Sequence, residues 1–215
     1  ICAHASNGEI ERLKSYIERD HEICGHFLKT KGSSCLYGHT RTPEYIKRGE
    51  STDLDCKGGA SCSWGEYTSH MFHTHPNNCY AFPSSEDFAL VCRHADKIKV
   101  MFIVSLWGIF KIHTRKIAVV SPNVVESKGQ RGNNLKQAIQ SHVDKICALT
   151  KSKVENTHGS LPYEEIKTKR NGPNNHVVWD NVEGRIVDIN RKIQKYGMTL
   201  SFFSWNRAKN EPMIL

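Results

Sequence analysis

Thr68-Ser69-His70-Met71-Phe72-His73-Thr74-His75-Pro76, then a short loop, then Ser84-Ser85-Glu86-Asp87-Phe88: this stretch decides how the chain folds. The first run has strand-like side chains and ends at a proline, which predicts a strand over 68–75. Pro and Asn content makes 76–83 a loop. Ser84 then precedes Glu86, Asp87, Phe88, Leu90 and Val91, which predicts a helix capped by Ser84 and running to about residue 95. Side chains alternate faces along a strand, so His73 and His75 project to the same side; on a helix they would stand ~200° apart. His70 has the opposite parity and reads as a bystander.

Outward from this stretch, α and β patterns alternate. Downstream, 100–105 and 106–113 read as two buried strands around Trp107-Gly108, with 117–120 as a third. Leu135, Ile139, Val143, Ile146 and Leu149 fall on one stripe of a long helix. Upstream, Ser6 and Glu9 form a capping-box pattern, and Ile10, Leu13 and Ile17 recur at helical spacing, which predicts a helix over 7–19. Residues 22–28 read as a strand, and 30–66 as a strand fragment plus a long surface insertion. Beyond residue 150 the texture changes: a turn over 171–175, a strand over 176–179, a helix over 183–196 and a strand over 198–205. The expected organisation is one domain over 1–150 and a C-terminal α+β extension over 151–215, either a small appended module or a segment packed onto the core.

Composition narrows the class. The 215 residues are 38% hydrophobic and 24% charged with a net charge of +8, which excludes fibrous and fully disordered proteins. The longest apolar run, 100–110, is about half the ~20 residues a spanning helix needs, so no membrane segment is expected. Residues 1–6 have neither a basic nor an apolar region and do not read as a signal peptide. The eight cysteines are scattered without a CxxC pair, which predicts mostly reduced thiols in an intracellular protein, cytoplasmic or nuclear. The alternatives are a Cys56/Cys62 bridge or a structural zinc on Cys35, Cys56, Cys62 and Cys79. Charge is uneven: 97–150 is net +7, whereas 1–96 is net −3.

The chemistry resides in the acidic portion. Two imidazoles on one strand face need a third ligand to hold a metal, and Asp87 in the first helical turn is placed to be that ligand. Three protein ligands with an open fourth position is the arrangement of a catalytic zinc. The bland alternative is that Ser84-x-x-Asp87 serves only as a helix cap.

His-x-His-Pro, a short loop and Ser-x-x-Asp resemble the JAMM motif of the JAMM/MPN zinc metalloprotease family. Glu22-Ile23-Cys24-Gly25 resembles the Glu-x-Cys-Gly of several members, and it precedes the first match by about fifty residues, in the expected order. The resemblance implies an MPN domain, a curved mixed β-sheet flanked by helices. It implies Zn²⁺ on His73, His75 and Asp87, Glu22 as general base, and Ser84 as hydrogen-bond donor to the oxyanion. It further implies a hydrolase of the isopeptidase or deubiquitinase type, whose partners are conjugates of ubiquitin or a ubiquitin-like protein. Two insertions, about 30–66 and 115–134, would shape the groove for the ubiquitin tail. One departure stands out: eight residues separate His75 from Ser84, one more than the family's usual loop, and the extra residue has to bulge within 77–82.

Two readings from other classes compete. One is an MPN scaffold without catalysis. The other is a nucleic-acid-associated protein using the basic 97–150 region. A thiol protease built on Cys24 or Cys79 has no local signature.

Overall fold

The computed structural model describes residues 7–19, 22–29, 36–40, 44–45, 60–61, 69–77, 79–115, 127–150, 160, 163 and 176–205. In chain order the elements are α1 (Asn7–Tyr16), β1 (Cys24–Lys29), β2 (Leu36–Thr40), β3 (Glu44–Tyr45), β4 (Ala60–Ser61), β5 (His70–Thr74), α2 (Ser85–Arg93), β6 (Val100–Ser105), β7 (Gly108–Thr114), α3 (Lys128–Thr150), α4 (His176–Gln194) and β8 (Met198–Ser204). Six strands form one sheet in the order β2-β1-β5-β6-β7-β8, and β3 pairs with β4 separately. Only β5 and β6 run parallel; every other neighbour in the large sheet is antiparallel.

The parallel pair has a consequence for function. Parallel strands need a crossover, and α2 supplies it, so its first turn follows the C-terminal end of β5. In such units ligands gather outside the carboxyl ends of the strands. His75 lies just past that end, and its N–H still bonds Val104 O at 2.8 Å, so the histidine keeps the strand alternation.

β6 is buried along its whole length, and its unbroken apolar sequence follows from having both faces covered. On one face Met101 and Ile103 join Met71, Phe110 and Ile112 beneath α2, α3 and α4, where Phe88, Ile139 and Ile189 are fully buried. On the other, Val100, Phe102 and Val104 pack with Phe72, Ile109 and the Ile10, Leu13 and Ile17 stripe of the α1 region. Phe72 therefore turns towards α1, and strand alternation sends His73 towards α2. At the β6–β7 turn, Gly108 has φ +140°, and a Cβ there would collide with the Phe203 carbonyl of β8.

The expected class, a mixed sheet flanked by helices, is present. The core runs across residue 150: β8 pairs along β7, and Val182, Ile189, Ile193, Met198 and Leu200 belong to the main apolar cluster. Of the two forms expected for the C-terminal extension, residues 176–205 take the one packed onto the core. Residues 176–179, expected as a strand, instead open α4, whose buried stripe farther along is Val182, Ile189 and Ile193. On α3 the stripe ends on Thr150 rather than Leu149. Leu149 is 37% exposed, while Thr150 is buried and donates its hydroxyl to Ile146 O at 2.8 Å. α1 stops at Tyr16, short of the expected residue 19, yet Ile17 stays buried. The strand expected over 117–120 and most of the 30–66 insertion lie outside the described residues.

Candidate metal centre

The His-x-His strand, the loop and the capped helix converge on one point. His73 Nε2 lies 3.2 Å from His75 Nε2 and 3.2 Å from Asp87 Oδ1, and His75 Nε2 lies 3.5 Å from Asp87 Oδ2. Ligand atoms at ~2.0–2.1 Å from a tetrahedral ion sit about 3.3 Å apart, so separations of this size, though they reach two different oxygens of Asp87, bring the three side chains within range of a single ion. Among the described residues His73, His75 and Asp87 form a group that can hold a metal ion. In the loop Cys79 N–H bonds Pro76 O at 2.8 Å, and Asp87 lies within 3.5 Å of both histidines.

Two of the three, His75 and Asp87, are held from behind. His75 Nδ1 lies 2.9 Å from the Tyr80 carbonyl, which can only accept, so Nδ1 carries the proton and Nε2 keeps its lone pair for an ion. Asp87 occupies the N3 position of α2 in a reciprocal capping box. Its N–H bonds Ser84 Oγ at 3.2 Å, while its Oδ2 accepts the Ser84 N–H at 2.6 Å and the Ser84 hydroxyl at 2.8 Å. The cap reading and the ligand reading of Asp87 are thus compatible: Oδ1 faces His73, and Oδ2 anchors the helix start.

Burial works against a charge on His73, but the negative Asp87, its hydrogen bond and the negative Glu22 outweigh it and push the imidazole up to about 9. Burial likewise opposes ionisation of Asp87, and the charges and hydrogen bonds of His73 and His75 hold its carboxyl well below the usual range. A metal ion held by His73, His75 and Asp87 would need His73 in its neutral form, so metal binding there would be coupled to proton release.

Glu22 reaches the site through the sheet register. Cys24 pairs with His73, so continuing the antiparallel ladder sets Glu22 opposite His75. The continuation is made by hydrogen bonds: Thr74 N–H to Ile23 O, and Ile23 N–H to Thr74 Oγ1, both at 2.8 Å. Glu22, His75, Ser84 and Asp87 line one cavity of about 550 Å³. His70 points to the opposite face and bonds Ser69 Oγ at 2.8 Å, so it is outside the group.

Several residues of the site carry no motif. Tyr80, Phe82 and, from α3, Gln140, Val143, Asp144, Cys147 and Ala148 form the remaining cavity wall. Ser85 donates to Gln140 Oε1, and Gln140 donates to Asp144 Oδ1 at 2.7 Å, which ties α3 to the start of α2. Gly132 lets α3 approach, since a Cβ there would press on Arg93 and Ala89 of α2. In the sequence, the spacing of Gln140, Asp144 and Ala148 marks one helical face, but nothing marks it as facing the histidines.

The cysteines depart from expectation. Cys24 and Cys79 are each disulfide-bonded, while Cys92 and Cys147 are reduced thiols. A thiolate nucleophile at Cys24 or Cys79, or a zinc ligand at Cys79, is thereby ruled out in this state. Burial, reinforced by Asp144, pushes the Cys147 thiol up to about 12, so it is a poor nucleophile as well. No helix among the described residues is long and apolar enough to cross a membrane. Comparison of the whole chain with family models, with curated proteins and with solved structures returns no match.

Proposed function

We propose that the chain is a zinc-dependent isopeptidase of the JAMM/MPN type, hydrolysing the bond that follows the C-terminus of ubiquitin or a ubiquitin-like protein. One observation carries the reading: His73, His75 and Asp87 lie within reach of one ion, and His75 and Asp87 share a cavity with Glu22 and Ser84. The donor set of two neutral imidazoles and a carboxylate suits zinc and leaves a fourth position open. Zinc, when bound, supplies Lewis acidity: it polarises a carbonyl and makes a water molecule acidic near neutral pH.

The rest of the chemistry belongs to the chain. Glu22 accepts the proton of the attacking water and returns it to the departing lysine amine as the C–N bond breaks. Ser84 turns its hydroxyl from Asp87 Oδ2 towards the developing oxyanion. Asp87 keeps its place during that turn because Oδ2 retains the Ser84 backbone N–H at 2.6 Å. The α3 wall excludes water from one side of the cavity.

Metal analysis joined to a panel of linkage-defined ubiquitin dimers tests the reading. Cleavage abolished by chelation and by Glu22→Gln, with folding retained, is the expected result; zinc-loaded protein inert towards every modifier sinks the substrate assignment. The assay is run without reductant, since Cys24 beside Glu22 and Cys79 in the cavity wall are disulfide-bonded. Those bonds also favour an oxidising setting over the reducing interior expected from the cysteine pattern. The nucleic-acid alternative has less support: Lys128 pairs with Asp96, Lys136 with Glu86, and Arg131 stacks over Tyr196.

A further inference from the structure

We propose that Ser160 is a positioning residue for the metal centre, acting on His75 through a single peptide plane. The proposal rests on the metal reading of His73, His75 and Asp87. Ser160 stands far along the chain from the ligands, yet it is 5% exposed and grips the 76–83 loop on either side of one residue. Its backbone N–H donates to Cys79 O at 3.3 Å, and its Oγ accepts the Ala81 N–H at 2.9 Å. Tyr80 lies between these anchors, and the Tyr80 carbonyl is the acceptor for His75 Nδ1.

The Tyr80 C=O and the Ala81 N–H are opposite ends of the same planar peptide group. A plane held at its N–H end by Ser160 cannot rotate its carbonyl away from His75. Release of that end frees the plane to turn, and His75 Nδ1 then loses the acceptor that keeps its proton there and leaves Nε2 bare for the ion. The two hydrogen bonds also polarise each other through the peptide, so each strengthens the other. Ser160 thus ties the segment beyond residue 150 to the chemistry of a ligand it does not touch.

Loss of a group that directly orients a metal-bound histidine costs roughly 10–100-fold in affinity, so loss of this more remote one is expected to cost about three- to tenfold. The test is titration of the metal-stripped full chain with Zn²⁺ against a competing chelator, with the visible spectrum of the Co²⁺ form as a second readout. Ser160→Ala is expected to weaken binding about three- to tenfold and to shift the Co²⁺ bands. Ser160→Thr, which keeps the hydroxyl, is expected to restore both. Asn190→Ala serves as the comparison for general stability, because it removes a clamp on Leu200 away from the ligands, with bonds of 3.0 and 2.8 Å. It is expected to lower the melting temperature and leave metal affinity alone.

Unchanged affinity and an unchanged Co²⁺ spectrum in Ser160→Ala overturn the proposal, as does an equal loss in Asn190→Ala. Should Ser160→Ala fail to fold, the Ser160→Thr and Ser160→Val pair is equal in shape and isolates the hydroxyl, and equal affinities in that pair overturn it. Wild-type protein that takes up no metal overturns the metal reading itself, and this proposal with it. A metal-binding wild type with an indifferent Ser160→Ala overturns the positioning role alone.

Discussion

The cavity beside His75 has two walls of different origin. One is a continuous segment, His73 through Asp87, in which strand alternation, a turn and a helix cap set every ligand from local geometry. The other combines Glu22 from ahead of β1 with Gln140, Val143, Asp144 and Cys147 from α3, and only the packing of sheet and helices brings these together. Under the proposed function the difference separates tasks. Holding an ion demands angstrom-level placement, which short-range geometry delivers, whereas moving protons and shaping a substrate groove draws on residues that the fold gathers from afar.

The largest expected effect breaks the local wall. Asp87→Ala removes a ligand and half of the capping box, and bound zinc measured by metal analysis is expected to fall from one ion per chain to none, with activity. Glu22→Gln attacks the distant wall, and a loss of about 10²–10⁴ in turnover is expected with zinc content unchanged. A variant that loses zinc as well would show that Glu22 belongs with the ligands, and the division into two walls would fail. Phe88→Ala strikes the junction, since this fully buried side chain seats α2 on the sheet; chemical denaturation is expected to show a loss of ~3–5 kcal/mol.

Acidity sharpens the comparison further. In metal-stripped protein the protonated His73 is held by Asp87, so its contribution to stability is complete below 6.5 and is lost as pH rises through about 9. Asp87 works in the opposite sense: its pKa is depressed, so its share is present above the ordinary carboxylate range and is lost in acid. Thermal melts across pH are expected to show both slopes without metal, and the alkaline slope is expected to vanish once zinc replaces the proton. The smallest effect belongs to Ser84→Ala, which removes the N-cap hydroxyl at a cost of about 1 kcal/mol read from a melting curve. If turnover falls much further than that stability loss accounts for, Ser84 also serves the oxyanion.

How much of this was legible follows the same division. Strand parity alone put His73 and His75 on one face and excluded His70, and the serine three residues before a carboxylate gave both the cap and the third member of the group that can hold an ion. The wall on α3 was not legible: its helix was, but a helical stripe says which face is buried and not what that face meets. Residues 176–179 misled because a short β-branched and aromatic run fits a strand and a turn of helix equally well. The cysteines misled because their spacing holds no record of which thiols meet in space.

For this protein the sequence by itself determined the local chemistry: a same-face histidine pair, a capped carboxylate and a Glu22 leading into a strand, all set by periodicities of the backbone that act over a few residues. Only the tertiary structure decided that Glu22 stands across the sheet from His75, that α3 closes the cavity, and that Ser160 holds the peptide behind His75. Those are contacts between segments tens to more than a hundred residues apart, selected by packing and hydrogen-bond satisfaction across the core, which no local pattern encodes.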